Sequence, residues 1–124
     1  MKMYEILEIA NLYESIKNVK MPLKTTYKFT KLIKQAEEEI TFYQTKFQEI
    51  IENYGAKENG QFKLTADGSS IAIIPGKELE CGEKISELRN IEVNIDNIKF
   101  SIEELGNLDI SISELSCLMS LIED

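Results

Sequence analysis

Three features of the sequence predict an α+β fold: a seven-residue rhythm of apolar side chains from Phe29 to Tyr54, an Asp67-Gly68 pair between two alternating stretches, and Ser-x-x-Glu spacings at Ser101 and Ser111. The first marks a long helix, the second a β-hairpin and the third two helix starts. The chain has 124 residues, 43% of them hydrophobic and 29% charged. A chain of that length buries roughly two-thirds of its unfolded surface, enough for a core without metals or disulfides.

Met3, Ile6, Ala10 and Tyr13 recur at helical spacing, widened by Leu7, Ile9, Leu12 and Ile16, and predict an amphipathic helix over 3–17. Residues 18–21 break the pattern. Pro22 then suits the first turn of a second helix, because its fixed φ is helical and its missing N–H would be unpaired there. Two helices so closely joined are expected to pack antiparallel.

Along the second helix Phe29, Ile33, Ala36, Ile40, Tyr43, Phe47, Ile50 and Tyr54 follow alternating steps of four and three. This rod, about 50 Å long, is predicted to end at Gly55 in a left-handed cap. The first helix reaches only about 22 Å. The half containing Ile40, Tyr43, Phe47, Ile50 and Tyr54, with Phe42 beside it, therefore needs cover from the rest of the chain or from another molecule, and these five are the candidate partner or oligomer contacts.

Residues 56–60 read as a loop, and 62–73 as a hairpin turning at Asp67-Gly68 in a type I′ turn. Residues 77–90 predict a helix with Leu79, Cys81, Ile85 and Leu88 inward. Ile91, Val93 and Ile95 alternate as a half-buried strand, with a bend at Asp96-Asn97 before Ile98 and Phe100. A short helix after Ser101 stops at Gly106, and a last one after Ser111 turns Ile112, Leu115, Leu118 and Ile122 inward. The organisation is thus a helical hairpin, 1–55, and a small α+β part, 61–124, packing on it as one structural domain.

The chemistry-bearing residue types are sparse. There is no histidine, which removes the commonest general base and metal ligand, and the two cysteines, Cys81 and Cys117, read as reduced core thiols. No catalytic, metal or cofactor site is expected. Glu37-Glu38-Glu39 spread over about 200° of a helix and cannot converge on one substrate. Asp67-Gly68-Ser69-Ser70 lacks the Gly-x-x-x-x-Gly-Lys of a phosphate loop.

The net charge of −8 is unevenly placed: residues 1–34 hold seven lysines and three glutamates, and the remainder carries −12. Lys24, Lys28 and Lys31, on one helix face, are candidate anion contacts within the Lys17–Lys34 basic region. The absence of arginine there and the overall negative charge argue against nucleic acid. No apolar run reaches the roughly 18 residues of a membrane span, so no membrane contact is expected and the chain is placed in the cytoplasm.

Residues 21–34, Met-Pro-Leu-Lys-Thr-Thr-Tyr-Lys-Phe-Thr-Lys-Leu-Ile-Lys, opening a long helix that closes on Glu52-Asn-Tyr-Gly55, resemble small uncharacterised proteins of phages and prophages of Gram-positive bacteria. Ile91-Glu-Val-Asn-Ile, Ile98-Lys-Phe-Ser-Ile-Glu-Glu-Leu and the run from Ile110 to Asp124 are similar to that group's closing pattern, with Met119-Ser120 where the group often has a proline. The resemblance implies a viral origin, a host-cell cytoplasmic location and a protein that acts by binding, and it transfers no site residues. The expected roles are an acidic inhibitor of a host enzyme or defence factor or, alternatively, a virion assembly factor working as a homo-oligomer.

Overall fold

The structure, a computed structural model, describes residues 1–95, 98–106 and 108–123. Its elements are α1 (Met3–Ile16), α2 (Leu23–Tyr54), β1 (Lys57–Glu58), β2 (Gln61–Phe62), α3 (Glu78–Arg89), α4 (Ile102–Leu105) and α5 (Ile112–Leu118), the last followed by a 3₁₀ turn, Met119–Leu121. The fold is the α+β arrangement of a helical hairpin with one long helix, a small antiparallel sheet and short helices. Two compact units divide it, Met1–Thr41 with Glu92–Asp124, and Phe42–Ile91, so the division crosses α2 and not the loop after Gly55.

In the first unit the C-terminal segment returns to the hairpin. α1 buries Met3, Ile6, Ile9, Leu12 and Ile16, while Ala10 is half-buried and Tyr13 exposed. The buried stripe is thus turned one position away from the Ala10–Tyr13 line, because α5 lies on that side. Ser15 of α1 donates to the Glu114 carboxylate of α5 at 2.6 Å. On α2 the buried positions are Thr25, Phe29, Leu32 and Ala36, with Ile33 and Ile40 half-buried. The seam keeps its four-three-four rhythm but runs through Leu32 in place of Ile33.

Phe100 anchors this unit. It is fully buried, its ring lies 4.5 Å from that of Phe29, and its backbone bonds on both sides, N–H to Leu121 and C=O from Glu123. Both predicted capping boxes form, with the Ser101 and Ser111 hydroxyls accepting from the N–H groups of Glu104 and Glu114. The expected strand over 91–95 is reduced to one antiparallel bridge, Lys2↔Glu92, with Val93 buried, Ile95 half-buried and Ile91 at the surface. The Asp96-Asn97 bend lies outside the described residues. Of the residues expected inward on the last helix Leu118 is buried, Leu115 and Ile122 are half-buried and Ile112 is 87% exposed, while Cys117 and Leu121 join the inner side.

The second unit holds the expected hairpin across Asp67-Gly68, where backbone bonds join Thr65 to Ser70 and Ala72 to Lys63, and adds an earlier one where a loop was expected. Asn59 and Gly60 carry φ values of 53° and 78°, the two positive φ angles a type I′ turn requires, and β1 pairs with β2 across them. At Asp67-Gly68 only the glycine is left-handed. There the Asp67 carboxylate accepts from the Thr65 hydroxyl and from the N–H and hydroxyl of Ser69, building a wider turn spanned by the Leu64↔Ile71 bridge. Those three donors hold the Asp67 carboxyl at about 2.

Gly55 is not a left-handed cap. It pairs with Ile73, and a Cβ there would lie 2.7 Å from the Ile51 carbonyl and 2.8 Å from the Phe62 ring, so glycine is required for close approach. α3 begins and ends within a residue of expectation. It buries Cys81 and Leu88, half-buries Ile85 and leaves Leu79, expected inward, 76% exposed.

Candidate partner-binding groove

Within the second unit the C-terminal half of α2 and the C-terminal half of α3, with Ile91 just beyond it, form an open groove of about 370 Å³. Phe42, Ile50, Leu88 and Ile91 supply its apolar lining, and Lys46, Glu49, Asn53, Lys84 and Glu87 its polar rim, with Tyr54 at one end. The α2 residues recur at intervals of three and four, which sets them along one helix face. Lys84, Glu87, Leu88 and Ile91 repeat the pattern on the opposite wall. Phe42 and Ile91 remain 43% and 36% exposed, so the apolar strip is open to a second surface.

The predicted partner contacts fall in different places. Ile50 and Tyr54 line the groove. Tyr43 and Phe47 stack on each other, ring centroids 5.8 Å apart, and both are half-buried. Ile40 belongs to the other unit, where it lines a small cleft with Ala10, Tyr13, Ile33 and Ala36. Ile51, which the heptad reading passes over, is the buried residue of this half of α2. The far wall, Leu88 and Ile91, was not foreseen as part of a site, because it lies more than thirty residues along the chain from α2.

The Tyr54 hydroxyl donates to Glu80, which pushes the phenol above its ordinary range, while the same bond and Lys77 hold the Glu80 carboxyl below its own. Both groups are driven away from neutrality, the opposite of what general acid–base work needs. Lys46 is paired with Glu49 at 3.4 Å. Among the described residues no group of three or more His, Cys, Asp or Glu is placed to hold a metal ion.

The predicted anion contacts are differently engaged. Lys28 is tied to Glu104 at 2.6 Å and its ammonium lies 5.8 Å from the centre of the Phe100 ring. Glu104 also accepts from the Ser101 N–H at 2.9 Å, and Lys28 followed by that bond holds its carboxyl at about 2. Lys31 lies over the Tyr27 ring, and Lys24 lines a shallow cleft with Pro22, Thr25, Ser101 and Glu103. Lys28 is thus committed to a structural carboxylate, leaving Lys24 exposed and Lys31 half-buried over Tyr27.

Glu104 makes a pH prediction. Its folded pKa lies below the ordinary 4.5, so the stability it contributes is present above about pH 4.5 and is lost as pH falls from there towards 2. Glu104→Gln is expected to cost about 2 kcal/mol at pH 7, since it breaks charged hydrogen bonds in a partly buried site. Urea unfolding at pH 7, 4 and 2.5 checks it: the gap between wild type and variant narrows at each step, and a constant gap contradicts the ion pair.

Among the described residues no helix is long and apolar enough to cross a membrane. Compared with family models, curated proteins and solved structures, the chain finds no match in any of the three.

Proposed function

We propose that the protein acts without chemistry of its own, by binding another protein through the α2–α3 groove, as a phage- or prophage-type accessory factor in the host cytoplasm. The observation that carries this reading is the groove's composition: an open apolar strip of Phe42, Ile50, Leu88 and Ile91 bordered by charges of both signs. That is the anatomy of a protein-binding patch, a desolvated centre with a polar rim. The net charge of −8 favours a basic partner, in keeping with the role of an inhibitor of a host enzyme or defence factor.

The test is capture from host lysate with wild type, with Phe42→Ala/Ile91→Ala, and with Lys63→Glu as a distant control. The expected result is one protein held near 1:1 by wild type and control, bound at least about tenfold more weakly by the groove variant, and released at high salt. Equal capture by all three overturns the groove, and capture indifferent to salt overturns the electrostatic part.

A further inference from the structure

Two surfaces outside the groove are opposite in charge, and each carries exposed apolar surface. Leu23 and Tyr27, one turn apart on α2, are 84% and 62% exposed, on the side of the helix opposite Thr25, Phe29 and Leu32. Residues 15–36 contain six lysines and no acid. Lys17 and Lys28 are paired with Glu14 and Glu104. Among the described residues no carboxylate lies within ion-pair distance of Lys24, Lys31 or Lys34, which flank the Leu23–Tyr27 pair. On α3 the exposed Leu79 stands directly opposite the buried Cys81–Leu88 side, flanked by Glu78 and Glu83 and by Glu80, the last already paired with Lys77 and Tyr54.

We propose that the outward face of α2's first turns docks on the outward face of α3 in a second copy of this chain, with Leu23 and Tyr27 against Leu79 and lysines against glutamates. Charge complementarity selects this occupant. A second copy offers carboxylates arranged around an exposed apolar side chain, so it can meet both the lysines and the Leu23–Tyr27 pair, whereas a lipid headgroup or nucleic-acid polyanion would meet the lysines alone. The two faces differ, so each copy offers both halves of the contact. The proposal is independent of the groove, since none of the residues it uses lines it.

Sedimentation velocity with a charge swap tests it. Wild type at up to about 1 mM in low salt is expected to show a mass rising with concentration, a weak association of the kind such a contact supports. Lys24→Glu/Lys31→Glu and Glu78→Lys/Glu83→Lys, at positions exposed except for the half-buried Lys31, each weaken it at least about tenfold, because like charges then face each other. Their equimolar mixture restores it, since every acidic face meets a basic one again. Circular dichroism melts confirm that both variants fold. A wild type that stays monomeric, an association that neither variant weakens, or a mixture that fails to restore it each overturns the proposal. So does a monomer that binds phosphatidylserine vesicles or duplex DNA through Lys24 and Lys31.

Discussion

Phe100→Ala is expected to destabilise the first unit by about 3–5 kcal/mol, the cost of emptying a fully buried aromatic site. Phe100 touches every part of that unit's closure: its ring meets Phe29 of α2 and the Lys28 ammonium, and its backbone is bonded to the 3₁₀ turn that follows α5. A cavity there removes the packing that holds residues 98–123 against the hairpin. With total stabilities of about 5–15 kcal/mol for chains of this kind, the variant stands near the edge of folding. Phe42→Ala, at a residue 43% exposed, is the control and costs about 1 kcal/mol or less. Urea unfolding followed by far-ultraviolet circular dichroism measures both, and a Phe100→Ala loss no larger than that of Phe42→Ala contradicts the assigned core.

Gly55→Ala is expected to cost about 2–3 kcal/mol through overpacking. The added methyl meets two different obstacles, the Ile51 carbonyl at 2.7 Å, which belongs to the helix backbone, and the Phe62 ring at 2.8 Å. The ring can move and the backbone cannot. Phe62→Ala combined with Gly55→Ala should therefore lose less than the two single changes together, by about 0.5–1 kcal/mol, the signature of neighbours in contact. Gly55→Asn separates this cause from a left-handed cap. Asparagine tolerates positive φ and would substitute well at such a cap, but here it is expected to be at least as damaging as alanine. Thermal melts of the four variants decide between them, and rescue by asparagine contradicts the close-approach account.

The parts of the fold legible in the sequence are those set by short-range chemistry. Ser101 and Ser111 cap their helices because the hydroxyl and the glutamate three residues on need only each other. The ends of α1, α2 and α3 also fall within a residue or two of expectation, although Gly55 closes α2 by close approach and not by a left-handed cap. Local signals mislead on turn type: the hairpin across Asp67-Gly68 forms, but Asp67 bonds Thr65 and Ser69 and only Gly68 is left-handed, while the two positive φ angles of a type I′ turn fall at Asn59-Gly60.

Which side of a helix is buried is decided elsewhere in the chain. Leu79 and Ile112 look inward by spacing and point outward in fact, and Leu32 replaces Ile33, because the covering segments arrive from distant residues. The groove was half legible. Ile50 and Tyr54 follow from the α2 rhythm, while Leu88 and Ile91 become its second wall only once α3 packs beside α2.

The most direct measurement of the central claim, that the α2–α3 groove is the surface through which the protein binds its partner, is site-specific photocrosslinking. A photoreactive benzoylphenylalanine is placed at Asn53 on the groove rim and, in a second chain, at Ser69 in the Asp67 turn of the same unit. Each is irradiated with the captured partner and resolved by mass. The account predicts a single partner adduct from Asn53 and none from Ser69. Adducts of equal yield from both positions, or from Ser69 alone, contradict it.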